Sequence, residues 1–189
     1  MKNLNKRKCI IATLITGLLG INIAIAQPPF SPPLKQWQHS SFSSYNFGLD
    51  AEDWVWNIAQ TSDGNYIGCG FTHKPGLNRP EIPSMIKLDA SGAVIWEEFY
   101  ENGQPNLKGV LLEVIETPTQ YVAIGGKKDA FGNLLIFFAK VNKNNGNPII
   151  QTNIAIPGIT TSFAHSIRQA PGGGFIICGE ANNFMLLLK

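Results

Sequence analysis

The chain has 189 residues, of which 44% are hydrophobic and only 15% are charged. That length suits one domain of ordinary size, and the balance fits a globular, turn-rich protein and excludes a disordered one. Four of the 15 basic side chains lie in residues 1–8, and no acidic residue precedes Asp50. Beyond residue 26, 11 basic side chains therefore face 13 acidic ones, a net charge of −2. A weakly acidic chain lacks the positive surface of a protein that binds nucleic acid or anionic lipid.

Residues 1–26 have the three parts of an export signal. A basic stretch, residues 2–8, precedes an apolar run that begins at residue 10. Ala24 and Ala26 place small side chains where a signal peptidase requires them, so Gln27 is the predicted first residue of the mature chain. The run of 17 residues from 10 to 26 is interrupted by polar residues and glycine, whereas a spanning helix needs about 20 apolar residues. We expect export to the periplasm, the cell surface or the medium, with no membrane span after cleavage.

Residues 27–50 form an N-terminal segment that contains one isolated strand pattern. Residues 36–42 resemble the fourth strand of the repeats that follow, and Trp37 matches Trp96 of the first repeat. We interpret this segment as an orphan fourth strand.

The chain beyond residue 50 repeats itself. Residues 58–70, 114–125 and 167–179 each contain an aromatic residue followed four positions later by glycine, at spacings of 55 and then 54 residues. A lysine and a turn glycine recur downstream. The repeats are 51–103, 104–157 and an incomplete third, 158–189. The structural repeat positions are Tyr66, Gly70, Lys87, Gly92 and Trp96 in the first repeat, Tyr121, Gly125, Lys140 and Gly146 in the second, and Phe175 and Gly179 in the third.

Each repeat predicts four short antiparallel strands. In the first repeat they cover residues 54–60, 65–71, 84–88 and 93–99, with tight turns at 62–65 and 89–92 and a long insertion at 72–83. Period-two alternation places Trp54, Trp56 and Ile58 on one apolar face. The repeated glycine after a β run predicts a bulge or a close backbone approach.

Four antiparallel strands repeated about every 50 residues are typical of a β-propeller blade. A sheet this small cannot bury both faces alone, so neighbouring blades must stack on it. We predict an all-β fold of propeller blades, with a β-sandwich as the alternative. Three blades are fewer than the usual four to eight, so the propeller is expected to be incomplete. Either the chain is the front part of a longer protein, which the apolar residues 184–188 favour, or two copies form a six-bladed homodimer.

The first repeat resembles a known family of repeats. Residues 62–70 (SDGNYIGCG) and 85–99 (MIKLDASGAVIWEEF) are similar to the D-G-G-Y-I-V-x-G and K-L-D-x-x-G-x-x-x-W pattern of secreted β-propeller proteins from Bacteroidetes-like bacteria. The resemblance covers residues 51–189, but Asn142 and Ile150 replace the aspartate and tryptophan in the second repeat. It implies a propeller fold and no particular activity, because propellers host enzymes, binders and scaffolds alike.

The cysteines and histidines are interpreted as structural. Cys69 and Cys178 occupy the same place in different repeats, too far apart for a disulfide, so both are expected to be small buried side chains. His165 aligns with Trp56 and is expected in the core or an interface. His39, His73 and His165 have no partner at metal-ligand spacing.

We predict no catalytic, cofactor-binding or metal-binding residue. The segments 89–92 and 142–146 faintly resemble calcium loops but lack a closing acidic ligand, so they are interpreted as hairpin turns. Glu97 and Glu98 are adjacent on a strand and point to opposite faces, which excludes a glycosidase pair. The glycines at 172–174 precede a strand, which indicates a turn and not a phosphate loop.

Exposed aromatic rings are the one binding feature. They could stack on sugar rings, although aromatic residues on strands more often pack between blades. We expect a non-catalytic structural or binding module of an exported protein, acting on a glycan or a protein at the cell surface. The alternatives are part of a secreted carbohydrate-active enzyme and an adhesin that acts through protein contacts. The aromatic residues considered are Trp37, Phe42, Tyr45, Phe47, Trp54, Trp56, Trp96 and Tyr100.

Overall fold

The computed structural model describes residues 53–73, 81–101 and 107–189. These residues form eleven β-strands in three antiparallel sheets, which confirms the all-β prediction. Within this part of the chain no helix is long and apolar enough to cross a membrane. The predicted export signal and the predicted strand at 36–42 lie outside the described residues.

The sheets follow the chain in order. The first contains β1 (Asp53–Gln60), β2 (Tyr66–His73), β3 (Glu81–Leu88) and β4 (Val94–Phe99). The second contains β5 (Gly109–Glu116), β6 (Gln120–Lys128), β7 (Leu134–Asn142) and β8 (Pro148–Ile154). The third contains β9 (Ser162–Gln169), β10 (Phe175–Ala181) and β11 (Phe184–Leu188). Each sheet is therefore a meander in which consecutive strands pair, as the repeats predict.

The connection between β2 and β3 is shorter than the sequence suggests. β2 continues to His73 and β3 begins at Glu81, and these two residues pair across the hairpin. The predicted insertion at 72–83 is wrong at both ends, because residues 72–73 and 81–83 are extended and pair in the sheet. The tight turns are where they were predicted, with Gly64 and Gly92 at φ of 81° and 87°.

A bulge interrupts the first strand of every sheet at the same place. The pairing shifts register between Val55 and Asn57 in β1 and between Leu111 and Glu113 in β5. In β9 the same shift lies between its partners at Cys178 and Gly179. A bulge adds one residue and so exchanges the faces of the residues beyond it.

The bulge overturns one sequence expectation. Trp54 pairs with Phe71 and Ile58 pairs with Gly68, three positions apart on β2. Positions separated by three on a strand face opposite sides of a sheet. Trp54 and Ile58 therefore do not share a face, and the predicted single apolar face of β1 is wrong.

The repeated glycine is explained by this bulge. A Cβ atom at Gly70 would lie 1.7 Å from the carbonyl oxygen of Trp54, and one at Gly125 would lie 1.9 Å from that of Val110. At Gly179 the distance to the carbonyl oxygen of Phe163 would also be 1.9 Å. The predicted bulge and close backbone approach are thus both present, and no side chain fits at these positions.

The sheets pack face to face around two apolar clusters. In both cases the first strand of one sheet lies across the first three strands of the preceding sheet. Strand β5 lies across β1, β2 and β3, and strand β9 lies across β5, β6 and β7. The first cluster joins Ile67, Cys69, Met85, Trp96 and Tyr100 to Leu111, Val114, Tyr121, Ala123, Phe137, Ala139 and Val141. The second joins Val122, Ile124, Ile136 and Phe138 to Ala164, Ile167 and Ile177.

The repeated aromatic position is equivalent in register but not in burial. Each of the three rings pairs with the last residue of the preceding strand: Tyr66 with Gln60, Tyr121 with Glu116 and Phe175 with Gln169. Tyr121 is fully buried, whereas Tyr66 and Phe175 are only half-buried. Their equivalence in the repeat predicts three equally buried rings, and this prediction is wrong, because burial depends on how much of a neighbouring sheet covers each position.

Candidate functional site

A polar contact recurs at both sheet-to-sheet interfaces, one residue after the bulge. Oδ1 of Asn57 accepts a hydrogen bond from the backbone N–H of Val114 at 3.3 Å. Oε2 of Glu113 accepts one from the backbone N–H of Ile167 at 2.5 Å. The two acceptors and the two donors occupy equivalent positions in consecutive repeats. The side chain after the bulge thus holds the first strand of the next sheet.

A lysine over an aromatic ring also recurs at both interfaces. Nζ of Lys87 lies 5.5 Å from the ring centroid of Tyr121, and Nζ of Lys140 lies 5.3 Å from that of Phe175. A cation over a ring face is attracted by the ring quadrupole. Lys87 also forms a 2.7 Å ion pair with Asp63, which holds the pKa of the Asp63 carboxyl well below its usual range. The repeated lysine and aromatic residue therefore belong to one interface.

The β7–β8 turn of the second sheet covers Trp96. A Cβ atom at Gly146 would lie 2.6 Å from the Trp96 ring, so only glycine fits against it. The indole N–H of Trp96 donates to the carbonyl oxygen of Lys143 at 3.1 Å, and the Tyr100 hydroxyl donates to that of Gly146 at 3.0 Å. Trp96 and Tyr100 are buried, so neither can stack on a sugar.

The second sheet carries a buried lysine that the sequence patterns did not single out. Nζ of Lys127 donates to the carbonyl oxygens of Tyr100 and Glu101 and lies 5.4 Å from the ring centroid of Phe137. Burial lowers the pKa of Lys127 to about 8. The equivalent positions, Thr72 and Ala181, are not basic, so no repeat pattern points to this contact between sheets.

Four aromatic side chains form a continuous row on β1 and β2, here called the aromatic row: Trp54, Trp56, Phe71 and His73. The Trp54 ring stacks on Trp56 with centroids 5.8 Å apart and planes at 23°, and on Phe71 at 6.3 Å and 13°. The His73 ring meets Phe71 edge-on at 5.3 Å. Trp54 and Trp56 remain 50% and 54% exposed. The two tryptophans therefore present ring surface that the described sheets do not bury.

Charged groups lie at the His73 end of this row. His73 pairs with Glu81, and the Glu81 carboxylate lies 3.9 Å from Nζ of Lys108. The row thus offers stacked rings beside groups that can donate and accept hydrogen bonds. Of the other aromatic residues considered from the sequence, Trp37, Phe42, Tyr45 and Phe47 lie outside the described residues.

Two expectations for structural side chains need correction. Cys69 and Cys178 are free thiols, and burial raises the pKa of Cys69 as expected of a core residue, but Cys178 is exposed. His165 is exposed and lies beside Phe163 at 5.4 Å between ring centroids, so it is not a core imidazole. Both sit on the third sheet, where position in the repeat does not bring burial.

The segments that faintly resemble calcium loops are hairpin turns closed by their own first residue. Oδ1 of Asp89 accepts hydrogen bonds from the Ser91 hydroxyl at 2.6 Å and from the backbone N–H groups of Ala93 and Ser91 at 2.9 and 2.8 Å, and these bonds lower the pKa of Asp89. Oδ1 of Asn142 accepts from the N–H of Asn144 at 2.8 Å. The glycines at 172–174 form the β9–β10 turn, with φ of 83°, 97° and 74°.

Acidic and metal-ligating side chains do not converge in the described part of the chain. Glu97 and Glu98 pair with Ile86 and Met85, successive residues of β3, and therefore face opposite sides of the first sheet. Among residues 53–73, 81–101 and 107–189, no three His, Cys, Asp or Glu side chains are placed to hold a metal ion.

The chain matches no protein-family model, and no curated protein matches it.

Proposed function

We propose that this chain is a non-catalytic structural and binding module of an exported bacterial protein, in which the three sheets are blades of a β-propeller. The observation that carries the proposal is the recurrence of one sheet-to-sheet interface. The contact of Asn57 with Val114 returns as that of Glu113 with Ile167. Blades arranged around an axis meet through such a repeated contact, whereas the two faces of a sandwich meet once.

The use of the charged side chains supports a structural role. Glu113 and Glu116 accept hydrogen bonds from the neighbouring sheet, through Ile167 and Ser62 respectively. Asp63 is held by Lys87, and Asp89 closes its own turn. Carboxylates engaged in this way stabilise sheets and turns, whereas glycoside hydrolysis typically requires a pair of carboxylates that flank one substrate bond. The basic, apolar and small-residue segments of residues 1–26 support export.

The aromatic row supports glycan binding as the specific activity of the module. Inter-blade packing is the usual role of aromatic residues on strands, and Trp96 follows it. Trp54 and Trp56 instead keep about half of their surface exposed. Flat apolar rings with polar neighbours suit the C–H faces and hydroxyls of a sugar ring.

A glycan array with the full chain tests this activity. We expect binding that Trp54→Ala and Trp56→Ala each weaken at least tenfold. The matched control is Phe131→Ala, which removes a ring that is 91% exposed on the β6–β7 turn of the second sheet. Equal binding by all three variants would contradict glycan recognition by the aromatic row.

A hydrolase and lyase screen tests the non-catalytic assignment separately. We expect no turnover of glycosides by the purified chain. Turnover that a single Asp or Glu substitution abolishes would instead establish the carbohydrate-active enzyme.

A further inference from the structure

The third sheet exposes the face that the first two sheets bury against their successors. Ile67 and Val122 are fully buried in that position, and the equivalent Ile176 is 37% exposed. Cys69 and Ile124 are fully buried, and the equivalent Cys178 is exposed. The register of the strands fixes these equivalences.

The neighbouring strand shows the same contrast. Met85 and Phe138 are buried, and the equivalent Leu187, opposite Cys178, is 72% exposed. Together Ile176, Cys178 and Leu187 define the third-sheet face. This face matches the two interfaces already described, because the equivalent residues of the preceding sheets lie in those interfaces.

The first sheet exposes the complementary surface on β1. Leu111 and Ala164 are fully buried against the preceding sheet, whereas the equivalent Val55 is 40% exposed. Val114 and Ile167 are 2% and 0% exposed, whereas the equivalent Ile58 is 56% exposed. Val55 and Ile58 define the first-sheet face.

Polar partners match across the two faces. Ser166 holds the position after the bulge that Asn57 and Glu113 use as acceptors, and the N–H of Ile58 holds the donor position of Val114 and Ile167. Lys189 and Tyr66 hold the positions of the recurring lysine and ring. The residues of both recurring contacts are therefore present, one half on the third sheet and the other half on the first sheet.

We propose that the third-sheet face binds the first-sheet face of a second copy of this chain, head to tail, through the polar and lysine–ring contacts that recur between successive sheets. This inference rests on the repeated interface invoked in the proposed function. A head-to-tail contact is heterologous, so it closes into a ring or extends as a chain of copies. Two variants that are each substituted on a different face should therefore still bind each other, because the intact face of one variant meets the intact face of the other.

Light scattering coupled to size exclusion, with the full chain, tests the proposal. We expect the wild type to be a dimer or larger, dissociating on dilution. Ile58→Lys and Leu187→Lys should each be a folded monomer, and an equimolar mixture should form a one-to-one heterodimer, because one intact pair of faces remains. Phe131→Lys, a charge placed outside both faces, should leave the wild-type mass unchanged.

Three outcomes would overturn this docking: a monomeric wild type at all concentrations, association of the single variants, or a mixture of folded variants that stays monomeric. The wild type could be monomeric while a double-mutant cycle still shows coupling between Gly126 and Phe163. That result would reject the docking alone. Loss of that coupling would reject the repeated interface, and with it the proposed architecture.

Discussion

Replacing Gly125 by alanine should be among the most damaging small substitutions in the second sheet. The added Cβ would lie 1.9 Å from the carbonyl oxygen of Val110 and 2.9 Å from Cα of Leu111. Both are backbone atoms of the hydrogen-bonded neighbour strand, so β5 and β6 must separate to relieve the contact. Overpacking costs about 1–3 kcal/mol, and we expect about 3 kcal/mol here because no side chain can rotate away.

Urea unfolding followed by circular dichroism measures this cost. With a slope of about 2 kcal/mol per M for a small protein, the midpoint should fall by about 1.5 M. The matched control is Gly132→Ala, at φ of 86° with open space around it, which should cost only about 1–2 kcal/mol from backbone strain. A Gly125→Ala midpoint equal to that of the wild type or of the control would refute the close approach at the bulge.

Three further predictions concern burial and charge. Tyr121→Ala should lower the free energy of unfolding, measured in urea, by about 3–5 kcal/mol. Tyr66→Ala should lower it clearly less because Tyr66 is only half-buried, and equal decreases would contradict this. The folded-state pKa of Lys127, about 8, lies below the usual value of 10.5, so the unfolded chain binds more protons between these pH values and stability should rise with pH there. Relative to Lys127→Met, the wild-type urea midpoint should therefore increase from pH 8 to pH 10, and a constant difference would exclude a lowered pKa. Lys87 lowers the pKa of Asp63, so the stability that this pair contributes is present above about pH 4 and is lost below it. Asp63→Asn should therefore lose less stability than the wild type between pH 4 and 2, measured by urea unfolding. An equal loss in both proteins would contradict this.

The repeated patterns predict the sheets well because they follow from local constraints. The glycines at 70, 125 and 179 mark a backbone contact that only glycine permits, so sequence alone predicts the bulge. Turn residues such as Gly64 and Gly92 adopt positive φ for the same local reason. Alternation of apolar and polar residues then places the strands between them.

Properties that depend on a neighbouring sheet are less predictable. Cys69 and Cys178 are equivalent in sequence, but only Cys69 has a sheet packed over it. The bulge places Trp54 and Ile58 on opposite faces of the sheet, whereas simple alternation predicts one shared face. Lys127 has no basic equivalent in the other repeats, so its contact with carbonyl oxygens of the first sheet emerges only from the tertiary structure.

The aromatic row illustrates the same limit within the candidate site. Trp54 and Trp56 can be identified from the sequence as aromatic residues on a strand, but exposure separates them from Trp96. His73 joins the row because β2 extends past its predicted end at Phe71. The pairing of β2 with β1 places Phe71 opposite Trp54, and this pairing is what would have indicated its place in the row.

The packing of successive sheets is tested most directly by a double-mutant cycle between Gly126 of the second sheet and Phe163 of the third. A Cβ atom at Gly126 would lie 2.1 Å from Cδ2 of Phe163. Gly126→Ala should destabilise the wild type by about 1–3 kcal/mol, measured by urea unfolding. In the Phe163→Ala background the same change should cost close to nothing, because the ring that it meets is gone. An equal cost of Gly126→Ala in both backgrounds would contradict the packing of the third sheet on the second.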